Sequence, residues 1–160
     1  MIRRSDIVQW GVAHPWQNEN QVEQDLLLSF AMVEIANDPL LGRELVLRGG
    51  TAFHKLFLPK PYRYSEDLDF VRTTGGGIGE VMKRLTSLGS ELGFEVRTKM
   101  GMYPKVMWRF AFADGVPGKI KLEINAFERS PMMELTTRRH AVENPFFRVP
   151  RTFRHSSLRS

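Results

Sequence analysis

The sequence predicts an α+β domain in which helices pack on a mixed β-sheet. Apolar residues recur at helical spacing over residues 21–36 and again over 80–92. Short segments between and after them alternate apolar and polar residues as strands do, most clearly at 106–113 and 120–127. Residues 114–118, Asp-Gly-Val-Pro-Gly, form a hairpin-type connection between those two strands. Strands mixed with helices and followed by an antiparallel set are typical of a mixed sheet with helices packed on it.

The composition limits the class of protein. A chain of 160 residues is long enough for one domain and little more. It has no cysteine, which excludes a disulfide scaffold and thiolate chemistry and fits the reducing cytosol, so we expect a cytoplasmic protein. No run of 18 apolar residues predicts a membrane helix, and the first residues are too polar for a signal peptide.

Charge is distributed unevenly along the chain. Residues 1–50 hold four basic and seven acidic residues, whereas the remaining 110 hold nineteen basic and eleven acidic ones. A basic second portion suits an anionic partner such as RNA or DNA, although charge alone fits simple solubility equally well. Trp108 could stack on a base, but its strand position favours packing in the core.

The remaining elements follow in order along the chain. Asn18 or Asn20 is placed to cap the helix over 21–36. The Gly-rich run 75–79 lacks the spacing of a phosphate loop and is interpreted as a hinge. Near the end, we expect a short helix over 134–141 and a mobile tail from residue 151. Further predicted elements are an N-terminal arm (1–20), a strand (45–47), a helix (51–58), a strand (65–71) and a strand (94–99).

Two carboxylates mark the strand over 65–71. Asp67 and Asp69 alternate with Leu68 and Phe70, so in a strand the two acids point to the same face. Like charges that close repel each other unless a cation lies between them, and oxygen-only ligands suit a hard ion such as Mg²⁺. Gly49-Gly50-Thr51, before the predicted helix, can offer backbone N–H groups to phosphates. The stretch therefore indicates a site for a metal-bound nucleotide.

A third carboxylate is available on a later strand. Glu123 lies on the polar side of the alternating segment 119–125, and it would join Asp67 and Asp69 if the two strands were neighbours. A two-metal phosphoryl-transfer site calls for such a third acid. The alternative is a solvated sheet face with a Lys–Glu–Lys ladder of Lys121, Glu123 and Lys119, and the pattern alone leaves both open.

The ordered motifs resemble a known family, the AbiEii/AbiGii toxins of the polymerase-β-like nucleotidyltransferase superfamily. An early Glu-x-Asp helix, a Gly-Gly-Thr-Ala turn, an Arg-x-Ser-x-Asp-x-Asp segment and a strand with a third acid occur in the family's order. The resemblance covers about residues 20–129. The segments are Val22–Leu26, Leu47–Phe53, Arg63–Phe70 and Lys121–Asn125.

The resemblance implies a polymerase-β-like fold and a role for each motif. Asp67, Asp69 and Glu123 would be catalytic and bind Mg²⁺, and Glu123 could instead accept the proton of the attacking hydroxyl. The nucleotide would be bound by Gly49, Gly50, Thr51, Arg63, Ser65 and Lys55. For Arg63 a structural ion pair is an equal alternative, and for Lys55 a solvated helix face is favoured.

The function implied is that of a toxin that transfers a nucleotide from an NTP, GTP or CTP among the candidates, to a hydroxyl of RNA or protein. The favoured acceptor is tRNA, and a cognate antitoxin is the expected partner. We expect an arm (1–20), a nucleotidyltransferase domain (21–130) and a basic C-terminal extension (131–160) in place of the family's helical region. The alternative is a truncated, inactive module of the same fold that binds nucleotide or nucleic acid without turnover.

Overall fold

The computed structural model describes residues 3–13, 15–48, 66–125, 134–142 and 151–159. In this part of the chain the helices are α1 (Arg4–Ala13), α2 (Glu19–Asn37), α3 (Leu41–Glu44) and α4 (Gly79–Glu91). The strands are β1 (Leu45–Arg48), β2 (Asp67–Arg72), β3 (Glu95–Lys99), β4 (Lys105–Ala111), β5 (Pro117–Asn125), β6 (Glu134–Val142) and β7 (Arg151–Arg159). The predicted helix over 51–58 lies outside the described residues.

The described strands form one mixed sheet in the order β3-β4-β5-β2-β1-β7-β6. β2 runs parallel to β5 and β1 runs parallel to β7, while the other neighbours are antiparallel. The order matters because β5, distant in sequence, lies directly beside β2. The predicted α+β class, a mixed sheet with helices packed on it, is confirmed.

The two long helices begin and end where local chemistry dictates. Asn18 caps α2, since its side-chain oxygen accepts a hydrogen bond from the N–H of Gln21 at 3.0 Å. The helix ends at Asn37, just before Asp38 and Pro39. The chain leaves α4 through Gly93, whose φ of +94° is a conformation that favours glycine. No helix among the described residues is both long enough and apolar enough to cross a membrane.

Among the described residues, an apolar core lies between the helices and one face of the sheet. α2 contributes Leu28, Ala31 and Ile35, and α4 contributes Leu85 and Leu88. The facing strand residues, Leu47, Leu68, Phe70, Val106, Trp108, Ile120, Leu122 and Ile124, are all buried. Strand alternation therefore separates a helix-covered face from a second face. That second face is accessible along β3, β4 and β5 but is buried at Val46 and Val71.

The C-terminal elements differ from the expectation. The predicted helix over 134–141 is wrong, because β6 covers Glu134–Val142, and the predicted mobile tail is wrong, because β7 covers Arg151–Arg159. The two strands pair antiparallel along their whole length, and β7 joins β1. β-branched Thr136, Thr137 and Val142 favour a strand, and the cross-strand bonds satisfy backbone groups that a short isolated helix would leave open.

Candidate active site

The three predicted carboxylates lie on two neighbouring strands. Asp67 and Asp69 occupy alternate positions at the start of β2, and Glu123 lies near the end of β5. All three side chains are partly exposed, which sets them apart from the intervening residues. Those intervening residues, Leu68, Phe70, Leu122 and Ile124, are buried against the helices. The sequence pattern thus directs the acids to the face that the helices do not cover.

Strand register brings the acids together. Asp69 is the cross-strand partner of Glu123, and Asp67 is the partner of Lys121 two residues earlier on β5. Paired residues of adjacent strands point to the same side, and such strands are about 4.8 Å apart. Asp67, Asp69 and Glu123 therefore occupy adjoining positions of one face, as expected if the two strands were neighbours.

Lysines are interleaved with these acids. The Lys121 ammonium lies 3.3 Å from the Asp67 carboxylate, with the two side chains 32% and 49% exposed. β5 lies between β2 and β4, and on β4 the cross-strand partner of Glu123 is Lys105. An ion pair this exposed holds its partners only weakly, at about 0–1 kcal/mol. Lys119 and Lys121 thus share the face of Glu123, as the alternative considered from sequence expects, but the ion pair joins Lys121 to Asp67.

The three carboxylates have the chemistry that a hard cation requires, but their side chains do not converge on a common point. Asp67, Asp69 and Glu123 offer only carboxylate oxygens, the ligands that Mg²⁺ prefers. As the side chains stand, no three acidic or histidine residues of the described chain are grouped closely enough to hold a metal ion. The Asp67 side chain is 49% exposed, so a cation from solvent can reach it.

The other predicted site residues cannot be placed against these acids. The described part of β1 ends at Arg48, whose backbone pairs with that of Asp69, at the end of the sheet that holds the three carboxylates. Since β1 and β2 are antiparallel neighbours, the chain between them starts and finishes at that end. The predicted nucleotide-binding residues, Gly49, Gly50, Thr51, Lys55, Arg63 and Ser65, lie outside the described residues.

Three buried polar side chains of α2 are residues whose structural role the sequence reading missed. Glu23 accepts a hydrogen bond from the N–H of Ala113 at 3.0 Å, and Gln24 donates to the carbonyl of Lys119 at 2.9 Å. Asp25 accepts from the indole N–H of Trp10 at 2.8 Å. These hydrogen bonds join α2 to the β4–β5 hairpin and to α1. The available signal was a run of three polar residues directly before the apolar run Leu26–Leu28.

Glu23 also borders a cavity of about 420 Å³ between the start of α2 and the β4–β5 turn. Burial raises the pKa of its carboxyl, and the nearby Asp114 and Glu19 raise it further, while the Ala113 hydrogen bond opposes them. Glu66, the residue before β2, lines the same cavity. These contacts give Glu23 a structural role, because its carboxyl joins α2 to the β4–β5 turn.

Trp108 is a core residue. It is fully buried, stacks on Phe94 with ring centroids 5.3 Å apart, and donates its indole N–H to the carbonyl of Leu85 at 3.1 Å. This burial excludes the base-stacking role that the sequence left open, because the ring is enclosed between the sheet and α4 and a base cannot reach it. Tyr103, 52% exposed, lies in the β3–β4 turn next to Pro104, whose carbonyl accepts a hydrogen bond from the N–H of Ile124.

Comparisons with known proteins agree with the fold. The structure matches MenT4, a nucleotidyltransferase toxin from Mycobacterium tuberculosis H37Rv, with a TM-score of 0.61 at 19% sequence identity. The match covers 98% of this chain and 55% of that one, so the chain spans about half the length of MenT4. No curated protein sequence matches it.

The sequence match is to a family. Residues 31–153 match the model described as the nucleotidyl transferase AbiEii toxin of type IV toxin–antitoxin systems. That span is more than half of the chain and includes β2 and β5 with all three acids. The chain belongs to the AbiEii family of nucleotidyl transferase toxins.

Proposed function

We propose that this protein is a Mg²⁺-dependent nucleotidyltransferase that transfers a nucleotide from an NTP to a hydroxyl group of RNA. One observation carries the proposal: Asp67, Asp69 and Glu123 share one face of adjacent strands in a chain of the AbiEii family. The basic later portion of the chain favours RNA over protein as the acceptor, with tRNA as the first candidate. GTP and CTP are the nucleotides to test first.

Each acid has a part in the proposed reaction. Asp67 and Asp69 would hold Mg²⁺, and Glu123 would either complete that set or take the proton from the attacking hydroxyl. Bound Mg²⁺ would neutralise charge on the triphosphate. The hydroxyl oxygen forms a bond to the α-phosphorus while the bond to the bridging oxygen breaks, and pyrophosphate leaves. Gly49, Gly50 and Thr51 would hold the phosphates through backbone N–H groups.

The test uses labelled NTPs, Mg²⁺ and total tRNA, with the label on RNA as the readout. We expect transfer by the wild type and a loss of about 100-fold or more in Asp67→Asn and Asp69→Asn, since the missing charge stabilisation amounts to several kcal/mol. Glu80→Gln is the matched control, because it removes an exposed carboxylate from α4 and leaves the sheet unchanged. Transfer that persists in both aspartate variants would contradict the assignment.

A toxin role follows from the family and is tested in cells. Induced expression of the wild type should arrest growth, and Asp69→Asn at equal protein level should not. Co-expression of the neighbouring gene product, the expected antitoxin, should restore growth. Arrest by the aspartate variant would show that toxicity does not require nucleotide transfer.

The second candidate is binding of nucleotide or nucleic acid without transfer. The ion pair between Lys121 and Asp67 favours it, because that contact neutralises one of the acids proposed for the metal. NTP and Mg²⁺ binding with no labelled RNA or protein would support this candidate. Label on protein instead of RNA would retain the enzyme and change its acceptor.

A further inference from the structure

The accessible face of β3, β4 and β5 is strongly basic. Register places alternate residues of the three strands on one side of the sheet, the side that holds Glu123. That side carries two acids, Glu95 and Glu123, and six basic residues. The six, which we call the basic face, are Arg97, Lys99, Lys105, Arg109, Lys119 and Lys121.

Three of these cations are paired with acids and three are not. Glu95 lies 3.1 Å from Arg97 and 3.7 Å from Arg109, and Lys121 contacts Asp67. Within the described part of the chain, no acidic side chain lies within salt-bridge distance of the remaining three. These are Lys99, Lys105 and Lys119. The face therefore has positive charge that the described fold does not use.

Within β3, β4, β5 and α4, the excess of positive charge is confined to this side of the sheet. The opposite side of the same three strands consists of core residues such as Val106, Trp108 and Leu122. The helix α4 that covers it has two basic and two acidic residues. Composition alone would not sort charge in this way, so the positive potential is directed outward from one surface.

The basic face leads to the candidate active site. Lys99, Lys105, Glu123 and Asp69 are successive cross-strand partners from β3 to β2. This row spans about 14 Å at the usual strand spacing. A polyanion lying along the row would meet the lysines first and reach the carboxylates at its end.

We propose that the basic face binds the phosphate backbone of the acceptor RNA and directs its reactive hydroxyl to Asp67, Asp69 and Glu123. The choice of RNA rests on the function proposed above. Lys99, Lys105 and Lys119 contact phosphates, which gives affinity that depends on salt and not on sequence. Tyr103, at the β3–β4 turn, offers an exposed ring on which a base can stack.

The test compares tRNA binding by two triple variants that lose the same charge. The first is Lys99→Gln/Lys105→Gln/Lys119→Gln. The control, Arg4→Gln/Arg43→Gln/Lys83→Gln, removes exposed cations from three helices. Binding is measured by fluorescence anisotropy from 50 to 200 mM KCl without NTP. Thermal melting verifies that both variants remain folded.

The expected result is a smaller salt dependence in the basic-face variant only. Three lost phosphate contacts reduce the slope of log affinity against log salt by about 2–2.7. Over this range the wild type should lose about 20- to 40-fold more affinity than the variant. The control should follow the wild type. Equal behaviour of the two variants, or no change in the first, overturns the proposal.

Two further arms separate this proposal from others. Asp67→Asn should bind tRNA at least as tightly as the wild type, because it releases Lys121 from its ion pair, and should fail in transfer, so a failed transfer reaction and a failed binding surface give different results. Poly-L-glutamate serves as the probe for an acidic protein partner. A loss confined to poly-L-glutamate, with normal tRNA binding, overturns the choice of RNA.

Discussion

Along β4 and β5, neighbouring residues of one strand meet opposite surroundings. Trp108 is enclosed by Phe94 and α4, while Met107 beside it is partly exposed among charged residues. Leu122 is fully buried, and Glu123 faces Lys105 and Asp69. The helix-covered face supplies apolar burial and hence most of the folding free energy. The other face holds charges that a stable fold alone does not require.

This difference teaches that stability and function are carried by alternate residues of the same strands. A change on one face should alter the unfolding free energy, and a change on the other should alter chemistry or binding. The predictions below test that division, from the largest expected change in stability to the smallest.

Trp108→Ala should lower the free energy of unfolding by about 3–5 kcal/mol, because it leaves a large cavity and removes the indole hydrogen bond to the Leu85 carbonyl. Urea denaturation measures the loss. Met107→Ala is the matched control on the opposite face of the same strand, with an expected loss under about 1 kcal/mol. Equal losses in the two variants would contradict the division between faces.

Gly89→Ala should destabilise the protein by about 1–2 kcal/mol. Alanine favours a helix over glycine by about 1 kcal/mol. Its Cβ would, however, overlap the indole of Trp108, which lies against Gly89. The same substitution made with Trp108→Phe should be less harmful, since the smaller ring leaves room. A stabilised Gly89→Ala variant would show that the α4–β4 contact is looser than described.

Glu23→Gln should stabilise the protein at neutral pH relative to the wild type. The raised pKa means that Glu23 in the folded protein keeps its proton above pH 4.5, the ordinary pKa of this carboxyl. As the pH rises from 4.5 through the folded pKa, the buried carboxyl ionises and its contribution to stability falls. Glutamine can still accept the Ala113 hydrogen bond without the buried charge. Thermal melts from pH 4 to 8 should show a gap that widens with pH. A constant gap would indicate that burial does not perturb Glu23.

Glu123→Gln should leave stability unchanged or raise it by up to about 1 kcal/mol, because it removes a like charge opposite Asp69. The same variant should lose nucleotide transfer. Urea denaturation and the transfer assay on one preparation test both statements. A stability loss above 1 kcal/mol would show that Glu123 supports the fold rather than the reaction.

Local patterns were sufficient for much of the fold. The apolar repeat and Asn18 predicted α2, and the stripe of Val81, Leu85 and Leu88 predicted α4. Alternation also predicted the face on which each strand residue lies, because side-chain direction in a strand has a fixed period of two. It failed at β6, where pairing with β7 outweighed a weak helical tendency in residues 134–141. It also missed the buried polar contacts of Glu23, Gln24 and Asp25.

Strand alternation alone places Asp67 and Asp69 on one face, since two residues two apart on one strand must share it. The ordered motifs also indicated the AbiEii family, and the match over residues 31–153 confirms that family. The position of β5 beside β2, with Glu123 level with Asp69 and Lys121 against Asp67, is known only from the folded chain. Strand order and register depend on how helices pack over the whole sheet, and 54 residues of chain separate Asp69 from Glu123. No local pattern encodes a pairing at that separation.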